Sequence, residues 1–168
     1  MAQDDTDQPE LTQQDVAERL RSAGPVMLTT VGGDGKLLAH PMTIQEVTDD
    51  VDIWFFVGLS GDQAGALRGD GGGSAVNIAV SEAGSWLSVA GSAAFVEDRA
   101  TVERLWNDAA TAYFPGGIDE PDLGLLRVDG ESAQFWGLPG GKASALAQMV
   151  KHRVTGSRPA GGSATTEL

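Results

Sequence analysis

Residues 26–43, VMLTTVGGDGKLLAHPMT, constrain the fold more than any other stretch of the chain. Two runs of Val, Leu, Met and Thr flank a Gly-Gly-Asp-Gly turn, and β-forming residues broken by glycines and then resumed are the strongest hairpin signal a sequence carries. More runs of the same kind follow. Val51–Gly58 (VDIWFFVG), Ser74–Val80 and Ser85–Val96 read as strands, with Gly91 permitting a bulge or sharp bend in the last. Leu123–Val128 and Ser132–Trp136 read as two further strands, with Asp129-Gly130 as the hairpin turn between them.

Helix signals fall between the strands. Thr12 is a good N-cap with Asp15 three residues on, Leu11 can staple against Val16, and Gly24-Pro25 stops a helix that runs over 13–23. Ser60 and Gln63 have capping-box spacing, so a short helix is expected there. Asp98 caps a third, whose Val102, Leu105, Trp106 and Ala109 recur at helical spacing until Tyr113-Phe114 and the break at Pro115-Gly116-Gly117. Residues 142–150 read as a terminal helix. Closely spaced strands joined mostly by turns favour an antiparallel barrel with peripheral helices over a doubly wound sheet. The expected organisation is a disordered acidic stretch over 1–9, one domain over 10–150 and a flexible tail over 151–168.

Composition removes several function classes. A formal net charge of −13 opposes nucleic acid, whose backbone is held by Lys and Arg. With no cysteine there is no disulfide, thiolate chemistry or cysteine-ligated metal, and His40 and His152 are too few and too far apart for a histidine site, so no metal is expected. No apolar run approaches the roughly 18–20 residues of a membrane span. The acidic start, MAQDDTDQPE, lacks the pattern of a secretory leader, and the expected location is the cytoplasm. The acidic loop 118–122 lacks calcium-loop spacing and reads as solvated. Gly69–Gly73 has no phosphate-loop ending and reads as a flexible connection. Neither HExxH nor GxSxG occurs, so no catalytic residue is assigned. Trp54, Trp86, Trp106 and Trp136 lie on four separate elements and read as core or interface before ligand contacts.

The succession MLTTVGGDGKLLAHPMT, DIWFFVG, SWLSVAGSA, VERLWNDAATAYFPGGIDEPDLGLLRV and AQFWG resembles the general stress protein 26 group of the pyridoxamine 5′-phosphate oxidase-like flavin-binding split barrels. The likeness covers about residues 11–137 and is most specific from Trp106 through Phe114-Pro115-Gly116-Gly117 to Asp122-Leu123. It implies a mainly β (α+β) fold, a six-stranded antiparallel split β-barrel that forms a homodimer with flavin mononucleotide (FMN) in a groove between subunits. An Arg-Pro-Met on the second strand and a Ser-x-Lys opening the helix after the third typically hold the phosphate side. Here these fall on His40-Pro41-Met42 and on Gly61-Asp62-Gln63, so both cations are replaced. The resemblance sets the backbone of Met42, Val57 and Gly58 near the ring or ribityl chain. Losing two hydrogen bonds to a charged group costs about 3–6 kcal/mol, a roughly hundred- to ten-thousand-fold weaker hold.

The implied function is a flavin-binding stress-type protein, possible also as a low-activity oxidoreductase fed by a reduced nicotinamide. The alternatives are a non-enzymatic dimer that senses a ligand or binds a partner, and a relative carrying deazaflavin or haem. Nothing resembles the basic C-terminal motif with which true pyridoxamine phosphate oxidases hold their substrate, which argues against that activity.

Overall fold

The computed structural model describes residues 11–68, 73–82, 84–137 and 162–168. The first helix, α1 (Gln13–Ser22), starts as its residues dictate. Thr12 Oγ1 accepts the Asp15 N–H at 3.1 Å, and the Asp15 carboxylate accepts the Thr12 N–H at 2.9 Å, a reciprocal capping box. The Thr12 hydroxyl, donating to the same carboxylate at 2.6 Å, and then the Thr12 N–H hold the Asp15 carboxyl below its ordinary value. Val16, Ala17 and Leu20 form the buried stripe of the helix.

The expected hairpin forms from β1 (Val26–Val31) and β2 (Leu37–Met42), with Leu28 opposite His40 and Val26 opposite Met42. Its turn closes through the Gly32 N–H to the Lys36 carbonyl at 2.7 Å, and Gly35 takes φ +78°, a conformation that favours glycine. After Thr43 come β3 (Ile44–Val47), β4 (Asp52–Gly58), α2 (Asp62–Leu67), β5 (Ser74–Glu82), β6 (Ser85–Phe95), α3 (Arg99–Leu105), β7 (Leu123–Gly137) and β8 (Gly162–Glu167).

The sheet order is β2-β1-β5-β6-β7-β4-β3, with every pairing antiparallel. Its two end strands, β2 and β3, are separated by Thr43 alone. A sheet whose opposite edges are joined by one residue must curl until they meet, which closes the barrel. Taking β2 and β3 as halves of one bent strand leaves six strands, the split barrel that the resemblance implied, with β8 added beside the second half of β7.

The interior holds Leu28, Ile53, Phe55, Ile78, Val89 and Leu126, joined by Leu20 of α1 and Leu67 of α2. A second, smaller core lies on the other face of β4 and β7, where Phe56 and Leu125 pack against Leu105, Ala110 and Phe114. Burial at about 25 cal/mol per Å² of apolar surface is the main force holding both cores.

Four local expectations are corrected. Asp129-Gly130 is no hairpin turn, because β7 runs unbroken through it. Gly91 pairs with Gly130 and Ala90 with Ser132, leaving Glu131 as the extra residue of a β-bulge. A Cβ on Gly91 would lie 2.1 Å from the Asp129 carbonyl oxygen, so the bend needs glycine at that position. Second, α2 is capped by Gly61 and not by Ser60, whose N–H is already held by Asp122 Oδ1 at 2.7 Å. Third, α3 stops at Leu105 because Trp106 is extended and the Asn107 side chain caps a separate 3₁₀ turn, accepting from the Ala110 N–H at 3.2 Å. Fourth, part of the expected tail is ordered: Gly162–Glu167, with two adjacent threonines suited to a strand, form β8 against β7. The stretch 1–9, the glycines over 69–72 and the expected helix over 142–150 lie outside the described residues.

Among the described residues no helix is long and apolar enough to cross a membrane.

Candidate functional site

Where the two edges of the sheet meet, the chain leaves a cavity of about 580 Å³. Pro41 and Met42 end β2 on one side of it, Thr43 and Ile44 turn the chain into β3, and Val57 and Gly58 end β4. The first turn of α2 adds Gln63. The opposite wall comes from the irregular segment after α3, with Asn107, Ala110, Tyr113 and Phe114, and from Asp122 just before β7.

Each position follows from local structure. Side chains alternate along β2, so Met42 turns inward and is buried while Pro41 turns outward to the rim. Gly58 ends β4 at the cavity with the Asp122 carboxylate against its missing side chain, since a Cβ there would lie 3.0 Å from Asp122 Oδ2. Asp122 is fixed by two bonds to the turn before α2, its Oδ1 accepting the Ser60 N–H and its carbonyl accepting the Leu59 N–H at 2.8 Å. Across the mouth, Asn107 Nδ2 donates to Gln45 Oε1 at 2.7 Å and Arg104 holds both carboxylate oxygens of Glu46, at 2.6 and 2.9 Å. That guanidinium keeps the Glu46 carboxyl below its usual range. The segment after α3 is thereby tied to β3.

The electrostatics of the lining are unusual for a site that would hold a phosphate. Among the described residues around the cavity there is no Lys, Arg or His; Asp122 is the carboxylate, and Gln45, Gln63 and Asn107 supply primary amides. Arg21, Arg99 and Arg104 are each paired elsewhere with a carboxylate. Gln63 is 8% exposed, and its Nε2 has no hydrogen-bond partner. A buried, idle donor is costly unless something else completes it.

Of the residues singled out in the sequence, Pro41, Met42, Val57, Gly58 and Gln63 come together around this cavity. His40 does not line it. It lies on the inward face of β2 between Met42 and Leu38, and Leu38 lines a second hollow with Gly61, Asp62 and Arg68. Its Nδ1 is also buried without a partner. Gln63 is therefore not the capping-box residue that its spacing suggested, since α2 begins one residue later than that box requires.

The sequence reading missed Gln45, Asn107, Tyr113 and Asp122. Asp122 lay hidden in an acidic loop read as solvated, whose other carboxylates are engaged locally, Asp119 with Arg99 at 2.7 Å and Glu120 with the Gly116 N–H at 2.9 Å. The usable signal for Asn107 was Asn107-Asp108 itself, a pair that competes with helix continuation. No group of three or more His, Asp or Glu able to hold a metal ion occurs among the described residues.

Comparison with known proteins gives a consistent set of likenesses. A family model described as pyridoxamine 5′-phosphate oxidase like matches residues 12–160. A crystal structure named as a general stress protein 26 from Jannaschia sp. CCS1 is 28% identical, with a TM-score of 0.68 over 90% of this chain and 94% of its own. The general stress FMN/FAD binding protein from Xanthomonas citri is 35% identical, with a TM-score of 0.63 over 74% of this chain and 87% of its own. The Neurospora crassa protein bli-3 is 27% identical over 121 residues, which are 66% of this chain. The match spans 56% of the bli-3 length, little more than half of that relative.

Proposed function

The chain belongs to the pyridoxamine 5′-phosphate oxidase-like family, and from that premise we propose that it is a homodimeric flavin-binding protein whose cavity receives the flavin ring system between two copies of the chain. The observation that carries this reading is the convergence of Met42, Val57, Gly58 and the idle Gln63 amide on one cavity. Its volume is within the range of small-molecule and cofactor sites, about 300–1,000 Å³. Met42 and Phe56 offer apolar walls, the Gly58 backbone borders the cavity beside the Asp122 carboxylate, and Gln63 Nε2 supplies a donor for a ring carbonyl. The ring system fits these residues. Among the described residues around the cavity the phosphate of FMN finds no cation, and we propose that FMN is held weakly for that reason.

Support for the dimer comes from the outer face of β1, β2, β5 and β6. Alternation turns Met27 and Val31, Leu37 and Pro41, Ala79 and Trp86 outward, and no outward position on these four strands carries a charge. In a chain with net charge −13, a sheet face of this kind is suited to burial against a second copy. Pro41 belongs both to that face and to the cavity rim, so a partner covering the face also closes the cavity.

When bound, the isoalloxazine supplies the electron-accepting chemistry. The chain binds and orients it: Gln63 donates, Met42 and Phe56 flank the ring, and the Gln45–Asn107 bond holds the opposite wall in place. On this reading the protein acts as a low-activity flavin-dependent oxidoreductase. The cation-free lining favours a second reading, a dimer of the same fold that has lost its cofactor and serves as a ligand sensor or interaction protein. A fluorescence titration separates the two. Protein added to flavin quenches the flavin emission to saturation on the first reading, and unchanged emission at several hundred micromolar protein refutes it.

A further inference from the structure

We infer that Asp122 and Gln63 together read the imide edge of the flavin ring: Asp122 Oδ2 accepts from the ring N–H, and Gln63 Nε2 donates to a carbonyl beside it. This inference rests on the flavin-binding reading above and assigns the residues that orient the ring within it. Among the described residues, four side chains with amide or carboxylate groups line the cavity, and two of them are spent on the wall itself. Asn107 donates to Gln45 Oε1 at 2.7 Å and accepts from the Ala110 N–H at 3.2 Å, while Gln45 Nε2 donates to the Thr43 carbonyl at 3.1 Å. Asp122 and Gln63 are left. Both sit where β4 turns into α2. Asp122 Oδ1 accepts the Ser60 N–H at 2.7 Å, while Oδ2, the oxygen nearer Gly58, accepts no hydrogen bond among the described residues. Gln63 follows Ser60 by three residues, is more than nine-tenths buried and holds its Nε2 without a partner among the described residues.

A carboxylate only accepts and an amide N–H only donates, so the group that completes this pair carries an N–H next to a C=O. The oxidised isoalloxazine has one ring N–H, at N3, with a carbonyl on either side. Its dimethylbenzene end offers neither a polar N–H nor an acceptor, and placing that end here would desolvate a carboxylate without replacing its hydrogen bonds. The ring therefore enters with its imide end toward Gly58 and the start of α2. Asp122 also brings its negative charge to a ring that becomes electron-rich on reduction, which disfavours the reduced flavin.

The test titrates the full chain with riboflavin and with N3-methylriboflavin, following flavin fluorescence. The methylated flavin lacks the ring N–H and is expected to bind about tenfold or more weakly, the loss of a hydrogen bond to a charged group. This comparison needs no variant. Asp122→Asn keeps an oxygen to accept the Ser60 N–H and turns its amide N–H toward N3. It is expected to weaken riboflavin by a similar factor, to shrink the gap between the two flavins and to raise the midpoint potential of the bound flavin. Equal binding of the two flavins by the parent chain overturns the inference and leaves the flavin-binding reading standing. A gap that persists undiminished in Asp122→Asn, with an unchanged potential, is steric and overturns it as well. If neither flavin is quenched, the inference and the flavin-binding reading fall together.

Discussion

Gln63 carries more of the functional argument than any other single residue, because its amide is buried beside the cavity with an idle Nε2. Replacing it with Met, of similar length and without the amide, removes a desolvated donor that has no partner in the free protein. Gln63→Met is expected to leave the melting temperature of the ligand-free protein equal or higher and to weaken flavin binding by about two- to tenfold, the worth of one neutral hydrogen bond. Thermal melts with and without flavin check both halves. Gly91 makes the opposite case, a residue whose absence of a side chain is structural. Gly91→Ala drives a methyl into the Asp129 carbonyl and is expected to cost about 1–3 kcal/mol in urea unfolding, with the bulge at Glu131 the first region to lose protection from hydrogen exchange. The bend at Gly91 was legible in the sequence, since a glycine inside a strand of Val, Ala and Phe has few other uses. The role of Gln63 was not, because its spacing from Ser60 imitates a capping box, and only the long-range bond from Ser60 to Asp122 shows that the box is not made.

At the scale of elements, short-range signals were reliable and competitions between distant groups were not. The α1 capping box, the β1–β2 hairpin and the strand over 52–58 depend on neighbours within a few residues, and each is present. The end of α3 depends on Asn107 reaching both Ala110 and Gln45, the second being 62 residues away, and sequence spacing alone extended that helix to Tyr113. The same break swings Tyr113 and Phe114 to the cavity. Thr12→Ala is expected to cost about 1 kcal/mol through loss of the α1 cap, measured by denaturant unfolding. The Asp15 carboxyl lies below its ordinary value of 3.8 and that of Glu46 below 4.5 in the folded chain. Each carboxylate therefore stabilises the fold fully above its unfolded value and loses that contribution as pH falls through its folded one. In acid titrations Glu46→Gln is expected to melt slightly below the parent at neutral pH and to converge with it as pH drops below 4.5. A constant gap down to strong acid contradicts the Glu46–Arg104 tie between β3 and α3.

The whole molecule is a barrel closed through a single residue, Thr43, with one charge-free outer face and a cavity at the edge of that face. The barrel was foreseeable from the count of short strands and their turns. The uncharged face was not, because it is assembled from alternate residues of four strands and becomes a patch only once their register is known. Ala79 stands near its middle, outward on β5 between Met27 of β1 and Ser88 of β6. Ala79→Glu puts like charges opposite each other across the twofold and is expected to yield monomers by light scattering, with a matching loss of flavin affinity. A variant that remains dimeric removes this face from the interface. The central claim is that flavin occupies the cavity between Met42, Gly58 and Gln63, and a crystal structure of the protein grown with saturating riboflavin tests it most directly. The account predicts three-ring density against the Gly58 backbone, with a ring carbonyl within hydrogen-bond distance of Gln63 Nε2 and the second protomer covering the outer side. Flavin bound elsewhere on the chain, or a cavity without that density, contradicts it.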